Sequence, residues 1–354
     1  MHGPGDFVDR KGPVMSSANA HQDHGLRPGH RGAAWTLVVL TPLIAELAFG
    51  STPIRWGYLV LLWIPVYGSG VLLIRELVRR TGRGWPSILL LGLGYGLLED
   101  GIGLQALTSP NLYDAADWGM RVAGMNLAYW EATAIYHVVF SAAIPIALTE
   151  LIFGKHGRRP YLRTGGLVVA ALVTVLGVLV LRFTVPIAQD PGYQAPLPFV
   201  AGALVTALVI GLVALRLLPR SERSPTDRPV AALSWWYVGS FVTAVGYLAL
   251  SHPMFGAEQP AFTDGDLVVF PMIAVVALVV GCLVVLRTAV RSSHWTERHT
   301  LAVIGGALVG HTAAGVAITA FVERTVVDRI GLGVIAIATV VIIVLLDRRI
   351  REMS

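Results

Sequence analysis

After the first 32 residues, long apolar stretches alternate with short polar segments along the whole chain. At a rise of about 1.5 Å per residue, about 20 apolar residues carry a helix across a bilayer. The pattern therefore predicts an all-α, polytopic membrane bundle of ten transmembrane helices, at Ala34–Gly50, Gly57–Leu77, Trp85–Leu107, Leu127–Phe153, Gly165–Pro186, Leu197–Leu218, Ala231–Leu250, Asp266–Val290, Thr300–Phe321 and Arg329–Leu346.

Polar side chains divide the chain into three predicted parts. Residues 1–32 are polar and lack the apolar core of a secretory signal, so we expect a disordered cytoplasmic tail. Residues 33–164 contain four helices with ionisable side chains, whereas residues 165–354 contain six helices built mostly from Val, Leu, Ala, Ile and Gly. Because a charge in hydrocarbon costs about 2.5–3.5 kcal/mol on insertion scales, the functional site is expected in the four-helix polar half.

Composition excludes a soluble protein and a nucleic-acid-binding one. Hydrophobic residues make up 55% of the 354 residues and charged residues 14%, and the mean hydropathy is +0.66. The net charge of +5 does not indicate a nucleic-acid partner, because the basic residues form short clusters between apolar stretches. The single cysteine, Cys282, excludes a disulfide framework and a thiolate metal site.

The basic residues also predict the orientation in the membrane. Of the 27 Lys and Arg residues, 22 belong to the side shared by both termini and 5 to the other side. The positive-inside rule then places both termini in the cytoplasm. Because Arg outnumbers Lys 25 to 2, we expect a GC-rich genome and a multi-pass protein of a bacterial plasma membrane, surrounded by lipid. The sequence identifies no cofactor, no metal and no oligomeric state.

The third predicted helix carries two adjacent carboxylates, Glu99 and Asp100. At helical spacing, one face of this helix holds Gly92, Gly96, Glu99 and Gly103, and small residues allow another helix to approach closely. Two neighbouring carboxylates inside a membrane cannot both ionise cheaply. One of them is therefore expected to stay protonated, as a general acid or a proton carrier requires.

The fourth predicted helix places Thr133, His137 and Ser141 four residues apart, in one polar stripe. His137 lies about 15 Å and Glu99 about 12 Å from the same end of the bundle, so neighbouring helices can bring them together. We therefore predict that Glu99, Asp100 and His137 are the catalytic residues.

Five other residues of the polar half are predicted to bind substrate: Glu46, Tyr95, Glu131, Thr133 and Ser141. Two further groups of polar residues have structural explanations. Arg75 and Glu76 lie near the basic end of their helix, where pairing with neighbouring charges accounts for them. His311 lies among glycines that are typical of a helix packing face.

Four stretches of the chain resemble an uncharacterised group of actinobacterial multi-pass membrane proteins: Tyr67–Glu76, Gly84–Pro86, Tyr95–Gly101 and His137–Ser141. This resemblance implies a membrane-spanning fold and brings no activity with it.

Residues 67–150 also loosely resemble the glutamic-type intramembrane proteases of the CAAX-protease and bacteriocin-processing (CPBP) superfamily. In that superfamily the motif Glu-Glu-x-x-x-Arg is followed by Phe-x-x-x-His in the next helix and by a third motif, His-x-x-x-Asn or Asp. Glu99 and Asp100 match the acidic pair and His137 matches the first histidine, whereas Leu104 and Thr133 replace the Arg and the Phe, and the third motif has no match. The resemblance implies a protease-like activity.

Three functions remain open on the sequence. In an intramembrane hydrolase, Glu99 and Asp100 act as acid and base on a membrane peptide or lipid, and His137 orients water or polarises a carbonyl. In a proton-coupled small-molecule transporter, the acidic pair binds the proton. In a membrane-embedded lipid or isoprenoid transferase or cyclase, a protonated Asp100 donates its proton to an alkene. We favour the hydrolase.

Overall fold

The computed structural model describes residues 30–113, 119–154, 159–220, 225–251, 265–320 and 323–353; most of the predicted tail lies outside them. The described residues form ten long helices: α1 (31–47), α2 (Ile54–Arg80), α3 (85–103), α4 (Leu127–Phe153), α5 (Thr164–Gln189), α6 (Leu197–Leu217), α7 (Leu233–Ser251), α8 (Val269–Ala289), α9 (Glu297–Ile318) and α10 (Val326–Met353). A short antiparallel hairpin, β1 (Arg121–Val122) and β2 (Met125–Asn126), precedes α4.

Eight of these helices, α2 and α4 to α10, are long and apolar enough to cross a membrane. The prediction of an all-α polytopic membrane protein is confirmed. The other two predicted spans do not meet the same standard of length and hydropathy: α1 consists of a 12-residue α-helix and one five-residue turn, and α3 contains both carboxylates of the acidic pair.

The third predicted helix ends earlier than its apolar pattern indicates. α3 stops at Gly103 rather than at Leu107, because the chain turns back towards the helix after Leu104. The backbone N–H of Ala106 donates to the carbonyl of Asp100 at 2.8 Å, and Gln105 has a φ of 59°, in the left-handed region. Apolar character therefore continues beyond the end of the helix.

The core is centred on α4 and α9. Two thirds (67%) of the most apolar stretch of each of these helices is buried, against 17% for α5, 11% for α6 and 6% for α8. The exposed faces of α5, α6 and α8 consist of Val, Leu and Ile, as expected of surfaces that contact lipid.

Two helices of the predicted apolar half reach α4 in the polar half. The hydroxyl of Tyr247 on α7 donates to the carbonyl of Ala132, and His311 Nε2 on α9 lies 2.9 Å from the hydroxyl oxygen of Tyr136. The six-helix half thus forms one wall of the polar half, although it contributes few ionisable groups.

A buried charge cluster closes the arginine-rich end of α2. The guanidinium of Arg75, which is fully buried, contacts Glu76 at 3.0 Å and Glu150 at 3.2 Å, and it lies 3.3 Å from the ring centre of Tyr161. Glu76 also accepts from the backbone N–H groups of Tyr161 and Leu162. This network ties α2, α4 and the following loop together and accounts for Arg75 and Glu76 structurally.

Ion pairs near the helix ends agree with the predicted sides of the membrane. Arg55 contacts Asp328 at 2.6 Å at one end, and Arg298 contacts Asp347 at 2.9 Å at the other. Each pair joins two residues that the distribution of basic residues assigns to the same side.

Candidate functional site

Each of the first four helices contains a wide turn in which the backbone hydrogen bond spans five residues instead of four. These turns are Leu43–Leu47, Ile64–Gly68, Glu99–Gly103 and His137–Ala143. In the first and third turns, the N–H groups of Ala48 and Leu104 donate to Leu43 and Glu99 at 2.9 and 2.8 Å.

Proline or glycine accompanies every one of these turns. Pro42 precedes the first turn, Pro65 lies in the second, Gly101 lies in the third and Pro145 follows the fourth. Because proline lacks the N–H that a regular helix needs, it favours such a local change of register. Wide turns of this kind re-aim side chains and are frequent at functional sites.

The third and fourth turns bring the acidic pair and the histidine together. His137 Nε2 lies 3.2 Å from Glu99 Oε2 and 3.2 Å from Asp100 Oδ2. All three side chains are buried, with at most 4% of the residue exposed. The structure therefore places the three predicted catalytic residues in one group, here called the acid–histidine triad; their catalytic role stays a prediction.

The imidazole of His137 is held on several sides. Its Nδ1 lies 3.2 Å from the hydroxyl oxygen of Ser141, one turn further along α4. The ring of Tyr67 stacks on the imidazole at a centroid distance of 6.0 Å, and that of Tyr95 meets it edge-on at 5.7 Å. Two of the predicted substrate-binding residues, Ser141 and Tyr95, therefore contact the triad.

The triad offers unused hydrogen-bonding capacity. One N–H group cannot point at two oxygens at once, and neither Glu99 Oε2 nor Asp100 Oδ2 has a hydrogen bond of good geometry within the described part of the chain. A buried carboxylate oxygen without a partner is costly. These atoms are therefore suited to bind a water molecule, a polar group of a substrate or a metal ion.

The same three residues could hold a divalent metal ion. One ligand atom each from Glu99, Asp100 and His137 lies within 4.8 Å of the other two. Two carboxylate oxygens and one imidazole nitrogen are donors that Zn²⁺, Mn²⁺ and Fe²⁺ accept, with further positions left for water or substrate.

Glu46 lies next to the triad on the wide turn of α1. Its charge interacts with those of His137 and Asp100, and its Oε2 accepts a hydrogen bond from Thr52 at 2.8 Å. Thr52 is in turn held by the indole N–H of Trp63 at 3.2 Å. A third carboxylate is therefore within electrostatic range of the triad, and its role in binding substrate stays a prediction.

Two predicted substrate-binding residues contact other parts of the protein. The hydroxyl of Thr133 donates to the carbonyl of Tyr129 in its own helix at 3.0 Å. Glu131 is only partly buried, and it lies within electrostatic range of Tyr247 on α7. The role of these two residues in binding substrate stays a prediction.

Sequence reasoning missed Tyr67 as a neighbour of the site. It follows Pro65 by two residues, and a proline in mid-span was the available signal for an irregular turn. His311 was assigned to helix packing; its ring stacks on Phe140 at 4.2 Å and on Phe49 at 5.2 Å, beside Tyr136, the residue that precedes His137.

A folded segment follows α3 at the end of the bundle that is remote from the arginine-rich loops. The hydroxyl of Ser109 donates to Asp190 at 2.6 Å, and the side-chain amide of Asn111 donates to the same carboxylate at 3.1 Å. Gln105 accepts from the backbone N–H of Ala195 at 2.7 Å. These contacts fasten the segment after α3 to the region around the end of α5.

Comparison with known families gives a match over residues 36–346 to a family described as an uncharacterized membrane protein family. The chain belongs to this family. Comparison with curated proteins and with solved structures gives no match. The family is membrane-embedded and multi-pass, in agreement with the helices described above, and its function has to be argued from the buried triad.

Proposed function

We propose that this protein is an intramembrane hydrolase that cleaves a membrane peptide or lipid of a bacterial plasma membrane. The observation that carries the proposal is the position of His137 Nε2, at 3.2 Å from both Glu99 and Asp100, in the buried interior of a membrane protein. Charged groups in this environment are costly to maintain and usually serve a function.

The triad contains the groups that hydrolysis needs. A carboxylate, here Glu99, accepts a proton from water while the water oxygen forms a bond to a carbonyl carbon. Protonated His137 stabilises the negative charge that develops on the carbonyl oxygen. The bond to the leaving nitrogen or oxygen then breaks, and the leaving group takes the proton from Glu99. Asp100 supports the protonated state of His137.

The loose resemblance to the glutamic-type intramembrane proteases supports this proposal. Glu99 and Asp100 stand in the place of the acidic pair of that superfamily, and His137 stands in the place of the histidine of its second motif. Leu104 and Thr133 depart from it, and the hydroxyl of Thr133 is engaged with the carbonyl of Tyr129 in its own helix. The match favours hydrolysis and leaves the choice between a peptide and a lipid substrate to experiment.

A proton-coupled carrier is the second candidate, because Glu46 adds a third carboxylate within electrostatic range of the triad. Such a row of titratable groups can conduct protons. The hydrolase is favoured because the ionisable residues of this cluster all come from α1, α3 and α4. A carrier built from two similar halves forms its site from both of them.

Incorporation of oxygen from water separates these functions. Membranes that contain the wild-type protein, Glu99→Gln, Asp100→Asn or His137→Gln are incubated in heavy-oxygen water, and lipids and peptides are compared by mass spectrometry. Glu352→Gln is the matched control, since it neutralises an exposed carboxylate of α10 that has no place in the predicted site. We expect one water-derived oxygen in a product formed by the wild type and the control, and none with the three triad variants.

The other candidates predict different results. Identical labelling in all five preparations would refute the hydrolase. A transferase or cyclase forms a product whose appearance depends on Glu99 or Asp100 but which contains no water-derived oxygen. A carrier changes the distribution of a solute and forms no new compound. Dialysis against a chelator before the assay distinguishes metal-assisted hydrolysis, which is lost and restored by added Zn²⁺, from acid–base hydrolysis, which persists.

A further inference from the structure

A second polar feature lies at the arginine-rich end of the bundle, far along the helices from the triad. A groove of about 650 Å³ is lined by Arg83, Arg216, Leu218, Pro219 and Arg220. Three of these five residues carry a permanent positive charge, and none is acidic. Such a groove is suited to an anion.

A fifth wide turn, Val213–Leu217 at the end of α6, shapes this groove. The N–H of Leu218 donates to the carbonyl of Val213 at 3.1 Å. Two backbone carbonyls of the turn accept hydrogen bonds from side chains at the start of α3 and in the loop before it. The hydroxyl of Ser87 donates to Ala214 at 2.7 Å, and Nε of Arg83 donates to Leu215 at 2.8 Å.

These contacts hold Arg83 in place and leave part of its guanidinium without a partner. Arg83 is only 6% exposed, and its Nη1 is buried without a hydrogen-bond partner among the described residues. A buried positive group of this kind is costly unless an anion satisfies it. Arg216 and Arg220 are exposed at the mouth of the groove, where they can reach the same anion.

The surroundings of the groove favour a lipid as the source of that anion. Leu212 and Leu217 of α6 are 52% and 74% exposed, so an apolar surface for acyl chains adjoins the three arginines. The groove also lies on the side that the basic residues assign to the cytoplasm. Basic pockets between helices at this level of a membrane bind the phosphate groups of anionic lipids.

We propose that the groove of Arg83, Arg216 and Arg220 binds the phosphodiester headgroup of an anionic phospholipid. Arginine forms paired hydrogen bonds to phosphate oxygens, which a zwitterionic lipid also offers. The net charge of three arginines selects the anionic headgroup. This site is independent of the acid–histidine triad.

Native mass spectrometry of the purified full chain in detergent tests this proposal by titration with phosphatidylglycerol and with phosphatidylcholine. The double variant Arg216→Gln/Arg220→Gln leaves the buried contacts of Arg83 intact, so it keeps the fold. The matched control, Arg228→Gln/Arg287→Gln, removes two exposed arginines of the same side outside the groove. A further titration adds inorganic phosphate to the complex with phosphatidylglycerol, because a site for free anions would release the lipid.

We expect phosphatidylglycerol to bind the wild type and the control equally and the groove variant about tenfold more weakly, as the loss of two charge-assisted contacts predicts. Phosphatidylcholine should bind the wild type more weakly than phosphatidylglycerol does, and inorganic phosphate should not displace phosphatidylglycerol. Equal binding of phosphatidylglycerol by the groove variant and the wild type would overturn the proposal. Displacement by inorganic phosphate at equal concentration would also overturn it, because the groove would then be a site for a free anion.

Discussion

Gly96 lies directly against His137: a Cβ atom at position 96 would approach Cδ2 of the imidazole to 3.1 Å and its Cβ to 3.2 Å. The missing side chain therefore allows α3 and α4 to approach closely enough for a histidine on one helix to reach two carboxylates on the other. This close approach is a requirement of the triad, and it can be tested without changing a titratable group.

Gly96→Ala should displace the imidazole from the acidic pair, because the added methyl group occupies space that His137 fills. A shift of about 1 Å in a reacting group can lower a rate by a factor of about 100. We expect at least a tenfold loss of the product labelled by heavy-oxygen water, with normal protein yield. Gly202→Ala is the control, since a Cβ at that position meets nothing within 4 Å; equal activity of both variants would contradict this explanation.

Glu99 and His137 should act as one unit, since their side chains are 3.2 Å apart. If they form a catalytic pair, the double variant Glu99→Gln/His137→Gln should be about as inactive as either single variant. The measurement is a double-mutant cycle on the rate of product formation. Losses that simply multiply would show independent roles and leave His137 as a packing residue.

The charge cluster around Arg75 should contribute strongly to stability. Removing one partner of a buried ion pair leaves an uncompensated charge and costs about 3–5 kcal/mol, whereas replacing both partners by apolar groups costs much less. Arg75→Leu should therefore lower the thermal unfolding temperature in detergent, because Glu76 and Glu150 both lose a buried positive partner. Arg163→Leu, an exposed arginine of the same end, serves as the control. An unfolding temperature of Arg75→Leu as high as that of Arg163→Leu would refute this account.

The C-terminus should lie in the cytoplasm, because 22 of the 27 basic residues belong to the side that both termini share. A reporter fused after Ser354 that is active only in the cytoplasm should be active, and a reporter inserted at Gln259 that needs export should also be active. The opposite pattern would invert the bundle and place the arginine groove on the outer side.

The sequence predicted the membrane-spanning character of the protein and the meeting of Glu99, Asp100 and His137. The length of the apolar stretches predicts which segments form membrane-spanning helices. Side chains of adjacent helices can meet when they lie at the same depth in the membrane. Gly92 and Gly96 share the face that packs on α4, as predicted, but the prediction that Gly103 belongs to the same face was wrong. Gly96 contacts α4, whereas Gly103 lies against Leu181 of α5, because the wide turn that begins at Glu99 changes the register between them.

Regular helical spacing assumes about 100° per residue, so it fails wherever a wide turn adds a residue. In a regular helix Asp100 would point about 100° away from Glu99. The wide turn that begins at Glu99 explains why both carboxylates reach the same nitrogen of His137. The failure of regular spacing at a wide turn also explains why Tyr67 was missed. The prolines that accompany such turns are visible in the sequence, but the direction in which the side chains then point depends on the packing of neighbouring helices.

The buried contacts of Arg75 also constrain how the protein is made. Glu150 is synthesised 75 residues after Arg75, and the loop that caps Glu76 follows later still. During that interval α2 carries a guanidinium that only the adjacent Glu76 can neutralise. Until α4 emerges, we therefore expect the Arg75 side chain to extend towards the arginine-rich end of α2, where water and lipid phosphates can solvate the guanidinium.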